Sequence, residues 1–90
     1  MPEVIDNPSL HRFELPVDGR VAFSEYALTD GVLTVRHTEV PKELEGRGVG
    51  SQLARGVLDH ARAQGWKVIP RCPFVNAYMT RHPEYDDLRA

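Results

Sequence analysis

The sequence predicts an α/β (α+β) domain: an antiparallel three-strand meander, then a helix, a strand parallel to strand 3, and a short C-terminal helix. Three observations carry this expectation. Asp18-Gly19 and Asp30-Gly31 separate stretches of alternating apolar and polar residues, which is the pattern of consecutive hairpins. Val49, Leu53, Ala54, Val57, Leu58 and Ala61 instead fall on one stripe of a helix. Trp66-Lys67-Val68-Ile69 follows that helix as a short strand. A strand, a helix and a strand in succession make a right-handed crossover between parallel strands.

Taken in order, residues 1–8 are polar with Pro2 and Pro8, and are expected to be a loosely held N-terminal tail, leaving 9–90 as the single domain. The first strand spans Leu10 to Val17. Pro16 cannot donate a ladder hydrogen bond, so an edge strand or a strand end is expected there. The second strand, about Arg20 to Leu28, changes phase. Val21 and Phe23 share one face, and Tyr26 and Leu28 the other, which implies two partly covered faces or a bulge near Ser24-Glu25. The third strand runs from Val32 to Val40 and is stopped by Pro41. Gly56 lies outside the helix stripe, and Gly65 suits the helix C-terminal cap. Pro70 closes the fourth strand. Pro73 suits the first turn of a second helix, with Phe74 and Tyr78 on one face and Pro83 as its stop.

Ninety residues, 27% charged, with a net charge of −2, describe an ordinary globular chain. That balance argues against a nucleic-acid binder. The apolar runs are too short for a membrane span, and the first residues lack the basic-then-apolar pattern of a secretory leader. Cys72 is the lone cysteine, so no internal disulfide is expected and a reducing, cytoplasmic setting is the default. No metal site is expected, and the expected state is a monomer or weak homodimer.

The chain is organised around Glu45-Gly46-Arg47-Gly48-Val49-Gly50-Ser51. Glycines before a helix N-terminus offer free N–H groups and the positive end of a dipole, an anion site suited to phosphate. The alternative is a tight turn with no ligand. A P-loop needs Lys-Ser or Lys-Thr after the last glycine, and here Ser51-Gln52 follows. A dinucleotide fingerprint needs a third glycine where Ser51 or Leu53 stands.

The glycine stretch with Val40-Pro41 before it resembles the acetyl-CoA signature of the GNAT acetyltransferase superfamily. Gly48 and Gly50 match its small positions, while Glu45 stands where arginine or glutamine is usual. His37-Thr38-Glu39-Val40-Pro41, the glycine loop, Ile69-Pro70-Arg71-Cys72 and Arg81-His82-Pro83-Glu84-Tyr85 occur in one order. Together they resemble the compact single-domain N-acetyltransferase-like subfamily over about residues 9–88. The resemblance implies a GNAT-like fold and an acetyl-CoA-dependent N-acetyltransferase. Its CoA pyrophosphate would sit on Arg47, Gly48, Val49, Gly50 and Ser51, and its pantetheine arm along Thr38 to Val40. The backbone N–H near Val40 would be the oxyanion donor.

For the base, Glu39 and His37 lie two apart on a strand and are expected to share the face of Leu33 and Val35. Histidine suits a base or relay; the bland reading is a polar pair bonded to a neighbouring strand or to solvent. Cys72 opens the second helix, where a thiol gains nucleophilicity. The resemblance implies a cysteine near the acetyl end, as a covalent acetyl carrier or as pocket lining; a purely structural thiol is the third option. Tyr26 and Tyr78 are candidate general acids. Arg81 and His82 either reach a CoA phosphate or cap a helix. The acceptor is a small-molecule or protein amine, and Asp86-Asp87 hint at a cationic one. The competing functions are a CoA or acyl-CoA binding module with little catalysis, and an interaction domain without the cofactor.

Overall fold

Alternating apolar residues set the sheet. In the computed structural model, which describes residues 3–90, its strands are β1 (Ile5–Asn7), β2 (Arg12–Val17), β3 (Arg20–Thr29), β4 (Val32–Glu39) and β5 (Lys67–Pro70), paired in that order. β1 to β4 are antiparallel, and β5 runs parallel to β4 as the crossover requires. Both residues of each Asp-Gly turn take positive φ, the geometry that matches the twist of a tight hairpin.

The expected N-terminal tail is corrected from Ile5 onward; residues 1–2 lie outside the described residues. Ile5–Asn7 pair with Glu14–Arg12. Tyr26 Oη donates to Asp6 at 2.6 Å, and Asn7 Nδ2 donates to Glu14 at 3.2 Å. Burial and then the Asp6 bond push the Tyr26 hydroxyl's pKa well up. Val4 packs on the core against Gly56 of helix α1 (Val49–Gln64), where a Cβ would collide with the Val4 side chain. That close approach is why the helix tolerates a glycine off its stripe. β1 makes β2 an inner strand over Arg12–Glu14, and of the two expectations for Pro16, an edge strand or a strand end, the second holds. Pro16 lies past the end of β1.

One face of the sheet is buried: Phe13 and Leu15, Ala22, Ser24 and Tyr26, Leu33 and Val35, and Val68. All six residues of the α1 stripe are buried against it. Fully burying each large aliphatic side chain contributes about 1.5–3 kcal/mol. Gly65 ends α1 at φ 75°, and the Trp66 ring lies 5.4 Å from that of His60 on α1. Helix α2 (Pro73–Arg81) runs beside α1 and buries Val75, Tyr78 and Met79. The expected Phe74–Tyr78 face is therefore corrected: Phe74 stays 39% exposed and turns toward the start of α1.

A 3-10 turn, Pro83–Leu88, closes the chain over α1. Tyr85 is buried and its hydroxyl donates to Asp59 at 2.7 Å; burial and that bond push its pKa up to about 12. Arg62 grips Asp87 at 2.7 and 3.0 Å, so Asp87 holds the fold's end together. Arg89 bridges to Val68, and Ala90 N–H donates to Val68 O at 3.0 Å. Among the described residues no helix is long and apolar enough to cross a membrane.

The phase change expected in the second strand lies in its partner instead. β3 keeps its alternation, with Ala22, Ser24 and Tyr26 inward and Phe23 outward beneath the Arg12 guanidinium, 4.4 Å from the ring centroid. Register jumps from Glu25↔His37 to Tyr26↔Val35, so Arg36 is the extra residue of a bulge in β4.

Candidate functional site

β4 has two unlike ends. Val32–Val35 pair with β5, and that pairing stops at Val35↔Pro70. Residues 37–39 pair only with β3, and Arg36 is skipped in that register. Pro70 cannot continue the ladder, and the chain touches β4 once more where Cys72 N–H donates to Val35 O at 2.9 Å. Beyond that bond the two parallel strands part, leaving one backbone edge of β4 open.

The Arg36 bulge inverts which side chains face this gap. A one-residue insertion moves every later side chain to the opposite face. Thr38 therefore points inward opposite Ser24, their hydroxyl oxygens 2.7 Å apart. Cys72 Sγ donates to Thr38 Oγ1 at 3.4 Å. His37 and Glu39 point outward, 56% and 61% exposed, 3.5 Å from each other. Their expected place on the face of Leu33 and Val35 is corrected: simple alternation fails because of the bulged residue. Cys72 is buried at the mouth of α2, and neither His37 nor Glu39 is brought to it.

The glycine loop follows a 3-10 turn, Lys42–Leu44, whose Leu44 is pinned in the core. Gly46 and Gly48 take φ 79° and 74°, left-handed values that disfavour any side chain. These turns deliver the chain into α1 at Val49 with no side-chain cap. Its first N–H groups thus face the loop unspent on capping. The adjoining groove, about 310 Å³, is lined by Val40, Leu44, Glu45, Gly48, Gly50 and Phe74 among others. At Gly50 a Cβ would sit 2.8 Å from the Phe74 ring, so any larger residue there must displace that ring. The Arg47 guanidinium meets Asp18 at 2.8 Å, and Arg20 approaches Glu43 at 3.6 Å. The loop is thereby tied to the β2–β3 turn, and Arg47, whose charge is engaged by Asp18, is not among the residues lining the groove. The carboxylate-bearing Glu45 lines the groove, where it opposes an anion.

The remaining candidates serve the fold. Tyr26 anchors β1. Tyr78, its pKa raised chiefly by burial, stacks on His82 at 4.1 Å, and His82 lies 3.4 Å from Glu84. A larger depression of about 460 Å³, between Leu10, His11, Ala27 and Arg36, carries neither glycine loop nor helix start. Sequence reasoning missed Ser24 and Phe74 as site residues. A hydroxyl at an inward position of an alternating strand was the available signal for Ser24; none marked Phe74.

Comparison with known proteins agrees with this geometry. The family model described as GCN5-related N-acetyl-transferase matches residues 12–88. Protein NATD1 of chicken (Gallus gallus) and of mouse (Mus musculus) are each 31% identical over 52 residues, covering 58% of this chain and 47% of theirs. The chain thus spans about half the length of the curated relatives it matches. The NMR solution structure of a GCN5-like candidate N-acetyltransferase from Staphylococcus aureus superposes with a TM-score of 0.73 at 28% identity, over 98% of this chain and 87% of that one. With its parallel β4–β5 pair, its glycine-turned helix start and a family match over nearly its whole length, the chain belongs to the GCN5-related N-acetyltransferase family.

Proposed function

We propose that this chain is an acetyl-CoA-dependent N-acetyltransferase acting on an amine. The supporting observation is the placement of the uncapped α1 start directly beside the gap between β4 and β5. A pyrophosphate on the N–H groups of Val49, Gly50 and Ser51 meets the positive end of the helix, and Gly48 lets it approach the backbone. An amide-bearing arm entering the gap pairs with the open edge of β4 near Thr38 and Val40, as an added strand does. The residues lining the groove fit such a ligand, with Glu45 an adverse charge among them.

Acetyl-CoA, as donor substrate, supplies an activated thioester carbonyl. The free amine nitrogen of the acceptor attacks that carbon; an N–C bond forms, the C–S bond breaks, and CoA leaves as thiolate, which takes up the proton the amine loses. The backbone N–H near Val40 steadies the carbonyl oxygen. Cys72 lines the acetyl end or carries the acetyl group transiently, its sulfur displacing CoA before the amine displaces it in turn. His37 and Glu39 lie on the outer face, where they would meet the acceptor rather than the sulfur. The lone cysteine suits the cytoplasm.

The outward placement of His37 and Glu39 also favours a second reading, a module that binds acetyl-CoA without transferring the acetyl group. Calorimetric titration with acetyl-CoA and thiol release across a panel of primary amines separate the two. Binding with amine-dependent release is the expected result. Binding without release selects the module, and no binding below about 1 mM, weaker than about 4 kcal/mol, overturns both.

A further inference from the structure

We infer that Ser24 and Thr38 form a hydrogen-bonded relay that holds the Cys72 sulfur in place and supports its thiolate, which makes Thr38 a positioning residue for acetyl transfer. Ser24 is fully buried, a small polar side chain among residues that are mostly apolar. Its side chain meets Thr38 Oγ1 at 2.7 Å, and Thr38 meets Cys72 Sγ at 3.4 Å. The three groups come from β3, from β4 beyond its bulge, and from the N-cap position of α2. Only the Arg36 insertion turns residue 38, rather than 37, toward the sulfur.

Proton counting gives the relay its direction. Among the described residues these side chains share two contacts. When all three are protonated they carry three protons, so Cys72 donates to Thr38, Thr38 donates to Ser24, and the Ser24 proton is left with no side-chain or backbone acceptor among the described residues. When the sulfur is deprotonated, Ser24 donates to Thr38 and Thr38 donates to the sulfur. Each remaining proton then has an acceptor, and the bond to the anion is the stronger kind. It offsets part of the cost of an anion in a buried place.

The use of this sulfur in acetyl transfer rests on the function proposed above; the relay itself does not. Its test is the rate of Cys72 alkylation by iodoacetamide, read by intact mass between about pH 6 and about pH 10. Thr38→Val is expected to slow the reaction about fivefold near neutrality and to displace the profile to higher pH. Thr38→Ser restores the wild-type profile, and Ser24→Ala gives a smaller displacement. Profiles of Thr38→Val and Ser24→Ala that superimpose on wild type overturn the relay, as does a wild-type sulfur inert across the range. Where Thr38→Val does not fold, by circular dichroism, Ser24→Ala alone decides in the same way. Failure of wild type to bind acetyl-CoA would overturn the proposed function and leave the alkylation profiles to judge the relay.

Discussion

The two ends of β4 are made of the same strand and do opposite things. At Val32–Val35 it is bonded on both sides, and Leu33 and Val35 are fully buried. At residues 37–39 it is paired on one side, and its side chains are polar. The lower end satisfies every backbone group with protein, as a buried strand must. The upper end leaves a row of groups for something else, and the bulge at Arg36 separates the two. A rigid, fully paired half is what allows the open half to keep its shape.

Substitutions on either side of that boundary should separate stability from binding. The largest effect is expected at the paired end. Leu33→Ala removes a fully buried side chain and should cost about 2–5 kcal/mol, seen as a fall of at least about 10 °C in thermal midpoint. Acetyl-CoA affinity of the folded fraction should not change; a parallel loss would mean the two ends are not separable. Gly48→Ala at the open end meets no neighbouring atom, so its cost is left-handed backbone strain alone, about 1–2 kcal/mol. It should also weaken acetyl-CoA binding in calorimetry, because the turn that aims the helix start is disturbed. Unchanged affinity would move the anion site elsewhere. Glu45→Gln should leave the unfolding free energy within about 0.5 kcal/mol of wild type yet tighten acetyl-CoA by about two- to fivefold, by removing a like charge near the surface. An unchanged or weaker affinity would place the pyrophosphate away from Glu45.

The paired half was largely legible in the sequence. Asp-Gly turns fix hairpins locally, and the α1 stripe, its Gly65 cap and the parallel β5 follow from periodicity. β1 was not legible, because three residues are too few to show alternation and their anchors, Tyr26 and Gly56, lie far along the chain. In the site, the glycine loop was readable as residues, while the facing of His37, Thr38 and Glu39 was not. Arg36 carries no sign of being a bulge; only its register against Glu25 and Tyr26 reveals it. Phe74 was read as core by its spacing from Tyr78, and tertiary contact with Gly50 decided otherwise.

The short outer strands have one more consequence. At one margin β1 offers three residues, and at the other Arg89 and Ala90 lie along β5 at Val68. Sheets grow into fibrils by adding chains to long, flat, unpaired margins. Here the margins are blunted, while an open backbone row at residues 36–39 is recessed between two strands of the same molecule. Under the proposed function a slender extended ligand pairs with that row. On that reading the domain blunts its outer margins and keeps an open backbone edge for its ligand.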